Sequence, residues 1–168
     1  MTSMTEQTRS VFVTGLRNAH ALETEAEQII KRQLERLTDY PQMVAMLRTH
    51  LQETERQKER LDQILGSMSE STSTLKEGAM TVMGNLAALA HAPADDEVLK
   101  NTFADLAFEN YEIAAYKSLI TMAQSCGAAN AQGLLQQSLQ EEQRMAQWID
   151  DHVEEITRQY MMRRAGSH

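Results

Sequence analysis

The sequence has few of the residues that end helices and few of those that favour strands. Its 168 residues include only two Pro and seven Gly, and aromatic residues make up 5%. Leu, Ala, Gln, Glu and Met are abundant, and all five have high helix propensity. Because 42% of the residues are apolar, the chain can bury a sizeable core. The composition therefore predicts a single all-α domain rather than a sheet or a disordered chain.

Other shortages argue against whole classes of function. A single cysteine, Cys126, cannot form an internal disulfide, which fits a reducing compartment. Acidic residues outnumber basic ones by 24 to 16, and the net charge of −8 argues against nucleic-acid binding. The first residues lack the basic and then apolar pattern of a signal peptide, and no apolar run is long enough to span a membrane. We expect a cytoplasmic protein with no nucleic-acid or membrane partner.

Helix start and stop signals divide the chain into four long helices and one short one. Pro41 suits a first helical turn, Asp95 suits an N-cap, and Gly66 and Gly127 suit helix ends. About 30 residues separate the first pair of long helices from the second pair, which predicts a ferritin-like four-helix bundle with one long crossover. The predicted helices span about 6–38, 41–66, 75–91, 96–126 and 130–161, where 75–91 is the short helix in the crossover.

Acidic residues interrupt the apolar face of every long helix near its midpoint. Packing the helices side by side would bring these residues, with one His, to the same depth. Five buried carboxylates would be strongly destabilising unless they are protonated or matched by cations. Two divalent ions nearly cancel this charge, and carboxylate oxygens with one imidazole suit Fe or Mn. The predicted ligands of this dinuclear site are Glu23, His50, Glu53, Glu109, Glu112 and Glu142.

Each candidate ligand has a plainer alternative. A lone Glu in a helix more often lies at the border of the apolar face, and a lone His is more often a satisfied core residue. The shared depth on four helices, and the one-turn spacing of His50 and Glu53, favour ligands. His20 lies one turn before Glu23, and we expect it to support a ligand or simply to pack in the core, with metal binding as the alternative. Tyr116 is predicted to hydrogen-bond to a ligand, because its polar tip needs a buried partner.

Three motifs together resemble a known family. In this order along the chain, HLQETERQKERL (50–61), ENYEIAAY (109–116) and SLQEE (138–142) resemble the YciE/YciF-type ferritin-like family of bacterial stress-induced proteins. The resemblance implies a ferritin-like bundle, usually dimeric, with a candidate di-metal site and a role in stress response. In the wider superfamily the second and fourth helices each carry Glu-x-x-His. Here the second helix has the reverse order, and Met145 stands where the other His would be.

Two functions remain open at this point. The first is a stress-response protein whose two Fe or Mn ions, with Fe favoured, react with O₂ or peroxide in an oxidase or peroxidase type of activity. The second is a non-catalytic helical protein that acts through dimerisation or partner binding, with a structural metal site or a protonated network in the same layer. We expect a homodimer, because of the resemblance and because the segment 79–90 is more apolar than one short helix needs.

Overall fold

A computed structural model describes residues 4–72 and 96–166, and four helices contain most of them. These are α1 (Met4–Arg36), α2 (Pro41–Ser67), α3 (Glu97–Ser125) and α4 (Ala129–Gly166). No strand occurs within these two ranges, so the all-α prediction is confirmed. The predicted short helix, the apolar segment 79–90 and the Asp95 cap lie outside the described residues. Over the described ranges, no helix has the length and apolar character needed to cross a membrane.

Contacts along the helices show that neighbours run antiparallel. Between α1 and α2, Arg9 lies 3.1 Å from Glu70, whereas Lys58 lies 2.6 Å from Glu27. Between α1 and α3, Arg36 donates to Glu97 at 2.8 Å, and the hydroxyl of Tyr116 donates to Glu23 further along. Residues late in one helix therefore meet residues early in its neighbour.

The same contacts place the end of α2 and the start of α3 at opposite ends of the bundle. Arg9, near the start of α1, donates to the carbonyl oxygen of Met68 at 2.6 Å. Glu97 instead pairs with Arg36, at the end of α1. The chain between Thr72 and Asp96 thus joins opposite ends, which is the ferritin-like connectivity predicted from the sequence.

The core consists of two main apolar blocks with a polar layer between them. One block surrounds Phe12, Leu65 and Leu135, and the other surrounds Tyr40, Leu47 and Ile149. Each long helix contributes to both blocks, since a helix of about 30 residues extends roughly 45 Å. The predicted ligands lie between the blocks, at the middle of the bundle.

The helix ends agree with the sequence at two points and differ at another. Pro41 begins α2, and Gly127 ends α3 with a φ of 75°. The amide of Ala128 there donates to the carbonyl of Ala123 at 2.8 Å, as in a Schellman motif. Gly66 was expected to end α2 but lies within its last turn. The turn comes instead at Ser69, a non-glycine residue with a φ of 58°.

Helix α4 is also longer than predicted. It continues to Gly166, whereas the sequence signals placed its end near residue 161. No Pro or Gly occurs in the last turns before Gly166, so nothing in the sequence forces an earlier stop. Arg163 lies against the turn between α1 and α2, with its guanidinium 5.3 Å from the ring centre of Tyr40.

The two helix ends with positive φ predict opposite effects of a Ser–Gly exchange. A left-handed conformation costs an L-residue about 1 kcal/mol that Gly avoids. We expect Ser69→Gly to raise the free energy of unfolding by about 0.5–1 kcal/mol, and Gly127→Ser to lower it by about 1 kcal/mol. A Cβ at Gly127 meets no atom within 4 Å, so this loss would reflect the backbone alone. Urea unfolding of both variants tests the pair, and a loss of stability in Ser69→Gly would contradict it.

Candidate metal centre

All six predicted ligands are buried in the middle of the bundle. Glu142 is fully inaccessible to solvent, and the most exposed of the six, Glu53, retains 8% of its accessible surface. Helical spacing explains the placement, because each residue continues the inward face of its helix. The structure therefore brings the predicted residues to one level, although their role as ligands stays a prediction. The buried set is Glu23, His50, Glu53, Glu109, Glu112 and Glu142.

Three of these residues form the most compact group. His50, Glu109 and Glu142 each offer a ligand atom, and these atoms lie within 4.8 Å of one another. Nε2 of His50 is 3.3 Å from Glu109 Oε1 and 3.5 Å from Glu142 Oε2. Since the three residues come from α2, α3 and α4, the site exists only when these helices pack together. This buried cluster could hold a metal ion.

Glu53 lies on the other side of the His50 ring. Its Oε2 is 3.2 Å from Nδ1 of His50, and its Oε1 accepts a hydrogen bond from Arg144 at 3.1 Å. Burial raises the pKa of Glu53, but the hydrogen bonds from His50 and Arg144 outweigh burial and lower it. An ionised Glu53 fixes the ring with Nε2 towards the other carboxylates, as carboxylates do behind metal-binding histidines.

Tyr116 and Glu23 form a buried pair between α3 and α1. The hydroxyl of Tyr116 donates to Glu23 Oε1, which is the type of contact predicted for this tyrosine. Burial raises the pKa of Glu23 to about 8, although the hydrogen bond from Tyr116 and the charge of His50 lower it. Burial and the charge of Glu23 likewise raise the pKa of Tyr116 well above its usual value. Tyr116 therefore remains a hydrogen-bond donor at any pH near neutral.

Two further carboxyl groups, those of Glu112 and Glu142, strongly disfavour ionisation in the absence of a cation. Burial raises the pKa of Glu112 well above its usual value, and the charges of Glu23 and Glu142 raise it further. Burial and the charge of Glu109 do the same for Glu142. Burial lowers the pKa of His50, but the charge of Glu109 and its hydrogen bonds outweigh burial, so this pKa is well above its usual value. The layer thus binds protons when no metal is present.

Several carboxylate oxygens in the layer have no hydrogen-bond partner. Both oxygens of Glu112 are buried and unpartnered. One oxygen each of Glu23, Glu109 and Glu142 is in the same state. In the ranges that the structure describes, none of these four carboxylates forms an ion pair with Lys or Arg. Unpartnered buried oxygens are rare in folded proteins, and a bound cation is a common reason for them.

Sequence reasoning missed a second buried network beside the layer. Arg60 makes a two-pronged contact with Glu141, at 2.6 and 2.8 Å, and contacts Ser138 Oγ at 3.1 Å. The amide nitrogen of Gln57 donates to Glu141 at 3.1 Å and also to Glu142. Gln57 and Arg60 continue the face of His50 at helical spacing. This spacing was visible in the sequence. Because Arg and Gln are usually exposed, it was not taken to predict buried side chains.

A third buried polar group lies closer to the start of α3. Asp105 accepts a hydrogen bond from Gln33 at 2.7 Å, and Asn101 lies one turn earlier with both polar side-chain atoms unpartnered. Burial raises the pKa of Asp105 to about 7, and the charge of Glu109 adds to this. The four-residue spacing of Asn101, Asp105 and Glu109 is the sequence signal that could have found this group.

His20 contacts α2 outside the predicted ligand layer. The structure places its Nε2 3.5 Å from Asp62, a largely exposed residue of α2. This contact belongs to the outer side of the α1–α2 pair, whereas Glu23 points to the bundle centre. The reason is geometric, because a three-residue step in a helix turns the side chain about 60° from its partner. His20 therefore has a contact outside the predicted ligand layer.

Comparisons with known proteins agree with this architecture. Residues 7–162 match the family described as Domain of unknown function (DUF892). The chain belongs to this family. Protein YciF of Escherichia coli (strain K12) is 31% identical over 139 residues, which cover 79% of this chain and 81% of YciF. The YciF-type resemblance seen in the three motifs is thus confirmed.

Solved structures of similar proteins show the same fold. A protein of Xanthomonas campestris has a TM-score of 0.80 and 30% identity, covering 95% of this chain and 99% of its own. The E. coli stress protein YciF has a TM-score of 0.77 and 25% identity, covering 90% of this chain and 97% of its own. Both solved structures therefore share the bundle described above.

The raised pKa values predict how pH affects the stability of the metal-free protein. In the folded protein, the pKa of Glu23 is about 8 and that of Asp105 is about 7. Both carboxyl groups therefore keep protons that they lose near pH 4 in the unfolded chain. His50 acts in the same direction, because stability from its raised pKa is lost as the pH rises above about 6.5. The free energy of unfolding therefore falls with rising pH across this interval.

Urea unfolding with a chelator present measures this dependence. We expect a lower midpoint at pH 8 than at pH 6, and a weaker slope for Glu23→Gln. Saturating Mn²⁺ should remove or reverse the trend, because metal competes with protons for the same carboxylates. A midpoint that rises with pH in the metal-free protein would contradict the raised pKa values.

Proposed function

We propose that the central layer binds two Fe or Mn ions, with Fe favoured, and that the protein reduces O₂ or peroxide in a bacterial stress response. The observation that carries this proposal is the set of buried, unpartnered carboxylate oxygens on Glu23, Glu109, Glu112 and Glu142. The similarity to the E. coli stress protein YciF supports the stress role. The proposal places the protein in the cytoplasm, as a homodimer.

Charge balance supports a pair of divalent ions rather than one. Glu53 is already paired with Arg144, and Glu141 with Arg60. The four carboxylates with unpartnered oxygens are left without a basic partner, apart from His50. Two divalent cations match four negative charges and allow His50 to be neutral, as a metal ligand requires. Hard oxygen ligands with one imidazole suit Fe²⁺ or Mn²⁺ better than a soft metal that prefers thiolate ligands.

The residues present fit such a pair of ions. In the proposed site His50, Glu109 and Glu142 hold metal, and Glu23 and Glu112 complete the carboxylate set. When bound, two ferrous ions supply one electron each to the oxidant. The protein itself supplies the dry, negatively charged layer and fixes the ligands through Glu53, Gln57 and Tyr116. These contacts hold three of the ligands from behind, at His50, Glu142 and Glu23.

A non-catalytic role is the second candidate, and one observation favours it. The layer contains one imidazole among its predicted ligands, and Met145 packs in an apolar block where the superfamily pattern has a second His. A protein with a protonated layer would need no redox metal to fold. Its function would then lie in dimerisation or partner binding. Metal content separates the two candidates.

We expect close to two metal ions per chain after expression with added iron and purification without chelator. Elemental analysis against protein concentration gives this ratio, and an Mn²⁺ titration of metal-free protein gives it independently. Glu109→Gln should lower the ratio, since it removes one anionic ligand. A protein that stays metal-free with both iron and manganese would leave only the non-catalytic candidate.

Two adjacent glutamates on α4 offer a matched test of the site. Burial disfavours the ionised form of Glu142, and keeping this carboxyl protonated at neutral pH costs folding free energy. Glu142→Gln removes that cost, so the metal-free protein should gain about 1–4 kcal/mol of stability. Glu141→Gln leaves Arg60 buried without its partner, so stability should fall by about 3 kcal/mol. Mn²⁺ at a hundredfold excess over its dissociation constant should add about 2.7 kcal/mol to the wild type and to Glu141→Gln, but little to Glu142→Gln.

Thermal and urea melts of the three proteins, with and without Mn²⁺, provide the comparison. Glu141→Gln and Glu142→Gln make the same chemical change at adjacent positions. Each therefore controls for any general effect of a Glu-to-Gln change on the stability of α4. If Glu142→Gln loses stability and still responds fully to Mn²⁺, the residue belongs to a hydrogen-bonded structural network. That result would remove it from the proposed ligand set.

A further inference from the structure

A line of polar residues on α3 leads from the surface to the proposed metal layer. Glu97, Asn101, Asp105 and Glu109 follow one another at four-residue intervals, so each lies about 6 Å further along α3 and is turned about 40° from the last. Glu97 is partly exposed and pairs with Arg36 at the end of the bundle. The next three residues are buried. The line therefore runs from solvent into the core beside Glu109.

Asp105 is the titratable group in the middle of this line. Its Oδ1 accepts a hydrogen bond from Gln33, while its Oδ2 is buried without a partner. The charged groups that influence it are Glu109 on its own helix and His50 on α2. The side chains that approach it from α1 and α4, Gln33 and Met145, carry no charge. Its pKa of about 7 means that it can both hold and release a proton near neutral pH.

Asp105 and Glu109 both line a small cavity. Its volume is about 10 Å³, which is room for about one water molecule. Apolar side chains from all four helices form most of the wall, and Asp105 and Glu109 are its two polar members. Each of these two residues has a buried oxygen without a partner. A water molecule in the cavity could hydrogen-bond to both carboxyl groups and link them.

We propose that Asp105 delivers protons to the metal layer through a water molecule in this cavity, and that new protons reach it from the solvent-exposed end of α3, where Glu97 lies. The proposal rests on the function proposed above. Reduction of one hydrogen peroxide to two water molecules takes up two protons and two electrons, one electron from each of two ferrous ions that become ferric. A layer closed by two apolar blocks needs a path for these protons. Asp105 is a positioning residue for them and is not itself a ligand.

The test compares Asp105→Asn with Asp150→Asn, which changes an exposed carboxylate on α4. Both should bind as much Fe²⁺ as the wild type under anaerobic conditions. On mixing with hydrogen peroxide, iron oxidation should be about tenfold slower or more in Asp105→Asn only. Its rate should also lose the change near pH 7 that the wild type shows.

Two further measurements exclude a merely structural effect. Gln33→Leu keeps Asp105 but removes its hydrogen-bond donor, which should move the rate change to higher pH. In the infrared spectrum of the Mn²⁺-loaded protein at pH 6, a protonated carboxyl band should be present in the wild type and absent from Asp105→Asn. This readout needs no turnover. Asn is close in shape to Asp, and Gln33→Leu tests the same path if Asp105→Asn does not fold.

The outcomes separate the inference from the proposed function. Wild-type protein that binds no metal, or that binds iron without consuming peroxide, would overturn the proposed function and the proton path with it. Normal iron binding with wild-type rate, pH profile and infrared band in Asp105→Asn would overturn the proton path alone. An unchanged pH profile in Gln33→Leu would also count against the path.

Discussion

The mutual repulsion and desolvation of carboxylates at the centre of the bundle is the constraint on which the rest of the structure depends. Glu23, Glu109, Glu112 and Glu142 come from three helices and meet in the core, shielded from bulk solvent. An uncompensated buried carboxylate costs several kcal/mol, and neighbours of like charge increase that cost. The two apolar blocks on either side must therefore contribute enough stability to hold the layer closed. Protons or metal ions then decide the charge that the layer carries.

Two kinds of buried charge lie side by side in α4. Glu141 is fully matched by the guanidinium of Arg60, and Glu142 has a neutral amide and an imidazole as its neighbours. A matched pair of this kind is a rigid structural element, since both of its charges are satisfied. The unmatched residue keeps an oxygen available. This contrast between adjacent residues distinguishes the proposed site from an ordinary polar core.

The environment of Met145 also affects the chemistry. This residue stands where the wider superfamily has a second His, and it lines the same small cavity as Asp105 and Glu109. Met145 therefore offers neither an imidazole nor a titratable group on α4. Proton-holding capacity near the layer then lies on α3, at Asp105, while His50 faces the carboxylates from α2. A site with one imidazole and several carboxylates binds hard cations through charge more than through ligand number.

The sequence by itself determined the helices, their order and the depth of the acidic residues. Pro41 and Gly127 bound helices because their backbone preferences act locally, and the central carboxylates share one level because helical rise is constant. The positive φ of Ser69 was not predicted, because no local sequence signal favours that conformation for a serine. The tertiary structure alone decided the partners: Arg144 for Glu53, Arg60 for Glu141 and Asp62 for His20. These pairs join residues of different helices, and their formation depends on how each helix is rotated against its neighbour, which periodicity within one helix does not specify.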